Sequence, residues 1–82
     1  MYYCYVKAVN NNEIYLKVVD IRRGGGIIEE EVIGSAKINV GSRGWGVLVD
    51  VKYNLSTIRD RLFKYIKRNG LDNIKEGFYF KI

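Results

Sequence analysis

Apolar and polar positions alternate with a period of two in five stretches of this chain and recur at helical spacing in one, which predicts five strands and a single helix. The first strand runs from Tyr2 to Val9 and stops at Asn10, Asn11 and Asn12, side chains that favour turns by bonding nearby backbone. Glu13 to Arg22 is the second strand. Arg23 to Gly26 follows as a glycine-rich connection suited to positive φ, hence a hairpin. The third strand runs from Ile27 or Ile28 to Val40, with Gly34 placed for a bulge. Gly41 to Gly44 turns the chain into a fourth strand, Trp45 to Tyr53, and Ile74 to Ile82 reads as a fifth.

The helix lies between the fourth and fifth strands. Ile58, Leu62, Tyr65 and Ile66 recur at i, i+4, i+7 and i+8 and form one buried stripe. Asn54, Ser56 or Thr57 is suited to cap it, Asp60 complements the dipole near its first turn, and Gly70 after Asn69 is suited to end it. Alternation assigns Cys4, Val6 and Ala8, then Ile14, Leu16 and Val18, to the core face. Ile28, Val32, Ala36 and Ile38, then Trp45, Val47 and Val49, and finally Ile74, Phe78, Phe80 and Ile82 join them.

This order, β-β-β-β-α-β, predicts an α+β fold in one domain spanning residues 1–82: a mostly antiparallel five-stranded sheet with one helix on one face. The competing architecture is a small SH3-like or OB-like barrel, since a long glycine-containing strand can bend across two sheets. Simple hairpins predict that Tyr5 opposes Lys17 and Lys7 opposes Tyr15, and that Lys17 opposes Glu31 and Tyr15 opposes Ile33. One helix cannot cover both sides of a sheet. The other side is therefore expected to be open, carrying Tyr3, Tyr5, Tyr15 and Tyr79 with Lys17, Lys81, Val19 and Leu48 among them. Such a face suits base stacking, contact with a protein partner or a homodimer, or no partner at all, because tyrosine favours strands in any case.

Charge sharpens the picture. The chain carries 14 basic and 9 acidic side chains, a net +5. Nearly all of the excess falls in residues 56–71, where Arg59, Arg61, Lys64, Lys67 and Arg68 stand against Asp60 alone. Arg61, Lys64, Lys67 and Arg68 share an arc opposite the apolar stripe and are suited to contact about three or four phosphates of DNA or RNA. Arg22, Arg23 and Arg43, in glycine-rich connections, are candidate auxiliaries.

Several chemistries are excluded or unsupported. Histidine is absent, so no imidazole base or ligand exists, and the single cysteine rules out an internal disulfide and a Cys-based zinc site. Cys4 has core parity and reads as a small buried hydrophobe. Glu29, Glu30 and Glu31 alternate between faces and do not converge as metal ligands. Arg22-Arg23-Gly24-Gly25-Gly26 lacks the Gly-Lys-Ser/Thr of a P-loop. The parity of Trp45 matches Val47, which places it in the core. Gly77 to Ile82 resembles the aromatic strand of RNA-recognition motifs, but Glu76 stands where that motif has a basic residue and the βαββαβ order is missing. The expectation is a non-enzymatic protein without cofactor or metal.

No apolar run is long enough for a membrane span, and the Met1 end has no charged-then-apolar leader, so a cytoplasmic protein with no membrane partner is expected. Richness in Ile, Val, Tyr, Lys and Arg, with no Gln and no His, resembles the small uncharacterised proteins of hyperthermophilic archaea and their viruses. That resemblance is one of composition and implies DNA-binding, host-interaction or defence-inhibiting roles.

Overall fold

A computed structural model describes all 82 residues, Met1–Ile82. Strands β1 (Tyr2–Val9), β2 (Glu13–Gly24), β3 (Ile27–Gly41) and β4 (Gly44–Val51) follow one another as hairpins. Helix α1 (Leu55–Asn69), a single 3-10 turn (Leu71–Asn73) and the short strand β5 (Tyr79–Lys81) complete the chain. Every neighbouring pair is antiparallel and the sheet order is β4-β3-β2-β1-β5. The sheet is open, with β4 and β5 on opposite edges, so the α+β expectation holds and the barrel alternative does not. The helix carries the chain from one edge to the other.

The core is the layer between α1 and one face of the sheet. Ile58, Leu62 and Ile66 are buried against Cys4, Val6, Leu16, Val18 and Ile38. Each such side chain contributes about 1.5–3 kcal/mol by leaving water. Tyr65 stacks on Phe80 with ring centroids 4.1 Å apart, pinning the middle of the helix to β5. Trp45 lies 4.8 Å from Phe63 and anchors the helix to β4. As its parity predicts, Trp45 packs against the core, although it stays partly exposed.

Two bulges change the register. Tyr5 opposes Lys17 as predicted, but Lys7 is the extra residue of a bulge, so Ala8 rather than Lys7 faces Tyr15. The second bulge has the larger effect. The β2–β3 turn is tighter than the sequence suggests: Gly24 pairs with Ile27, leaving only Gly25 and Gly26, at φ 55° and 77°, in the loop. Two successive positive φ values are those of a type I′ turn, which glycine adopts without steric penalty. Register then slips at Val18/Val19, where Val18 faces Gly34 and Val19 faces Val32. Ile33, expected on the open face, is buried in the core, and Val32, expected in the core, is exposed. Lys17 therefore opposes Ser35, not Glu31, and Tyr15 opposes Lys37, not Ile33.

Gly34 does more than permit the bulge. A Cβ at this position would lie 2.0 Å from the Asp50 carbonyl oxygen and 2.7 Å from Val51 Cα, so only a glycine lets β4 come this close to β3 here.

Beyond the bulge, β2 and β3 outrun their neighbours. β1 pairs with β2 only as far as Asp20, and β4 with β3 only as far as Gly34. Met1 still bonds the Ile21 backbone, and residues 22–29 beyond it form a two-stranded ribbon that lengthens the molecule to 48 × 24 × 20 Å. Its Ile27 and Ile28 are 63% and 67% exposed.

The helix start also departs from expectation. Asn54 precedes α1 with φ 56°, but its side chain makes no capping bond and its amide instead donates to the Tyr2 hydroxyl. The first turn holds no acidic residue, and Asp60 pairs with Lys64 at 3.0 Å. Gly70 closes the helix at φ 82°, its N–H bonding the Ile66 carbonyl at 2.8 Å. The fifth strand is shorter than its alternation suggests, because a turn closed by the Phe78 N–H to the Lys75 carbonyl, with Gly77 at φ 84°, takes up its first half. Phe78 is exposed rather than core.

Candidate nucleic-acid interface

Three basic side chains leave α1 on the side of β5. Arg61, Lys64 and Arg68 line a shallow groove of about 220 Å³ together with Tyr65, Ile82 and Lys81. Lys81 belongs to β5, and simple alternation assigns it to the far face with Tyr79. Because β5 is the edge strand, held against the helix by the Tyr65–Phe80 stack, Lys81 joins the helical cations. Within the groove only Lys64 is neutralised, by Asp60 one turn earlier. Arg61 also lies over the Tyr2 ring, 5.8 Å from its centroid.

The two other helical cations lie elsewhere, Arg59 in a groove beside Val47 and Phe63 and Lys67 toward the β3–β4 turn. Lys67 sits 5.8 Å from the centroid of Phe63 and, with Arg43 from the β3–β4 turn, borders a second groove of about 740 Å³ floored by Trp45 and Phe63. Arg43 is thus brought beside the helix. Arg22 and Arg23 are not, since they ride on the ribbon beside Glu29. Arg22 is further committed to Glu31 at 2.7 Å, a carboxylate that Lys52 also approaches at 3.3 Å.

The tyrosine face divides in two. Tyr3 and Tyr79 stack at 5.4 Å, Tyr5 tilts against Tyr79 at 6.2 Å, and the Lys17 ammonium lies 5.4 Å from the Tyr5 centroid. These rings pack on one another instead of presenting free platforms. Burial raises the pKa of Tyr79, and the nearby Glu30 carboxylate raises it further. That anion sets a negative charge beside the cluster, which opposes a phosphate there. Tyr15 stands apart, donating to Glu13 while Lys37 pairs with the same carboxylate at 3.0 Å. Its pKa is raised chiefly by that bond, and Glu13 is lowered by the same contact. Tyr15 lines a groove of about 560 Å³ with Lys7, Lys37, Leu48 and Asp50.

The basic helix and the tyrosine cluster lie on opposite faces of the sheet, so one straight duplex cannot reach both. Among the residues missed by sequence reasoning, Lys81 matters most, and its only sequence signal was its position one residue after the buried Phe80. Cys4 is buried and its thiol is pushed up to about 12 by desolvation, which leaves it unreactive. No three cysteine or acidic side chains converge as a metal site. No helix is long and apolar enough to cross a membrane. No protein-family model, no curated protein and no solved structure matches this chain.

Proposed function

We propose that this chain is a non-enzymatic module that binds nucleic acid through the phosphate backbone, with α1 as its contact surface. The observation that carries the reading is the convergence of Arg61, Lys64, Arg68 and Lys81 from two elements on one groove, with Asp60 as the only acid among them. Point charges on a helix track a phosphate row well but read no base edges, so binding with little sequence preference is expected. Lys67 and Arg43, flanking Trp45 and Phe63, supply a neighbouring surface where an unpaired base has an aromatic partner.

Fluorescence anisotropy of labelled duplex and single-stranded DNA and RNA, at low and near-physiological salt, tests the reading. Three or four phosphate contacts give a log–log salt slope of about −3. Replacing Arg61 and Arg68 by Glu abolishes binding if α1 is the surface. Absence of binding at low salt overturns the proposal.

A second reading, contact with a protein partner, is favoured by the exposed Ile27 and Ile28 on the ribbon and by the Tyr3–Tyr5–Tyr79 cluster. It is distinguished by Tyr5→Asp, which then changes oligomeric state or partner binding and leaves nucleic-acid affinity unchanged.

A further inference from the structure

The two edges of the sheet differ. β5 is three residues long and ends in the exposed Lys81, a short and charged edge of the kind that resists pairing. β4 is eight residues long, has no proline or basic residue, and makes its ladder with β3 in unbroken register. The Lys52 N–H bonds the Ile33 carbonyl on the β3 side. Antiparallel alternation therefore turns Gly46, Leu48 and Asp50 toward β3, and leaves the N–H and C=O groups of Trp45, Val47 and Val49 directed outward, where no strand lies. Leu48 is 58% exposed on the face away from the helix, beside the groove that Tyr15 and Lys37 share.

From this geometry we infer that β4 pairs antiparallel with β4 of a second copy about a two-fold axis at Leu48, making one continuous ten-stranded sheet. The register is self-complementary. Val47 faces the second copy's Val49, which uses the outward backbone groups, and Leu48 faces its own copy as a non-hydrogen-bonded pair, the arrangement in which side chains approach most closely. The axis stands perpendicular to the sheet, so both basic helices emerge on the same side. This inference does not depend on nucleic-acid binding, but it doubles the cationic surface if that binding occurs.

An edge of this length forms a small interface, below about 1,200 Å² in total, so association is expected to be concentration-dependent. Sedimentation velocity of the full chain without nucleic acid, from roughly 5 to 500 µM to bracket the micromolar dissociation expected of such an interface, should show a monomer–dimer transition. Leu48→Glu, which in its own chain faces Lys37, should weaken that association at least tenfold, with circular dichroism unchanged. Leu48→Lys should do the same, and mixing the two variants should restore the dimer. Under mild oxidation Leu48→Cys should trap a disulfide dimer, because non-hydrogen-bonded antiparallel pairs bring Cα atoms to about 4.5 Å, within disulfide reach. A monomer at every concentration overturns the inference. So does a dimer that is indifferent to Leu48→Glu, or one trapped by Tyr5→Cys and not by Leu48→Cys.

Discussion

The Tyr53 hydroxyl donates a 2.6 Å hydrogen bond to the Asp20 carboxylate, tying the chain just past β4 to β2 across the strand between them. Asp20 is the one buried charged residue, 7% exposed, and the bond from Tyr53 is the main reason its pKa lies below the ordinary aspartate value. A depressed carboxyl stabilises the fold fully above its unfolded pKa, about 3.9, and that contribution is lost as pH falls through the lower folded value. Asp20→Asn is therefore expected to flatten the acid limb of the stability curve below about pH 4. At neutral pH it should cost about 1–2 kcal/mol, read from urea melts across pH.

Tyr53 feels the same bond from the other side, and its phenol is pushed up to about 12. A raised pKa stabilises the fold below the unfolded value of about 10, and that contribution disappears as pH rises through about 12. Alkaline absorbance titration should show a late-ionising phenol that is missing in Tyr53→Phe. Ionisation of all seven tyrosines together near pH 10 would contradict the assignment.

Gly34→Ala is expected to be the most damaging single-methyl change in the chain. The added carbon meets backbone of β4 at both Asp50 and Val51, and backbone cannot swing aside as a side chain can. A loss of about 3 kcal/mol or more is expected in thermal or chemical melts. Gly24→Ala meets nothing within 4 Å and should stay within about 0.5 kcal/mol of the parent.

The Cys4 thiol should react with an aromatic disulfide reagent only as fast as the protein unfolds globally, since the thiol is buried and held neutral. Fast reaction in native buffer would show that β1 opens away from β5.

In nucleic-acid titrations Lys81→Ala should reduce the salt slope by about one unit, and Arg22→Ala should leave it unchanged. The difference follows from their positions: one joins the helical groove and the other is paired with Glu31 on the ribbon.

How far the residue pattern carried can be judged at particular positions. The helix and the burial of Ile58, Leu62 and Ile66 were legible because α1 keeps one period over its length, and the strands because each alternates over most of its own. Parity failed at Ile33 for a physical reason. A bulge adds one residue to one strand and changes the face of every side chain beyond it, so Val32 and Ile33 exchange places. The predicted Lys17–Glu31 pairing disappears mainly because Gly24 pairs with Ile27 at a tighter turn, to which the bulge adds one more residue of shift. Gly34 was visible as a place for such an irregularity, but the direction of the slip depends on how closely β4 pairs beside it. Lys81 was misplaced because alternation describes the interior of a sheet, whereas an edge strand beside a helix lets a long side chain reach round. Asn54 looked like a cap by residue type, but its amide is held by Tyr2 instead.

The ribbon of residues 22–29, beyond the Met1–Ile21 backbone bonds, has no third strand beside it and no helix above it. A two-stranded ribbon by itself is only marginally stable in water. Its amides should therefore exchange with solvent deuterium through local openings, orders of magnitude sooner than those of Val6 or Leu16, whose exposure needs the whole sheet to come apart. The molecule thus has two dynamic regimes in one short chain: a slowly exchanging slab under the helix, and an arm that melts and reforms many times within the lifetime of that slab.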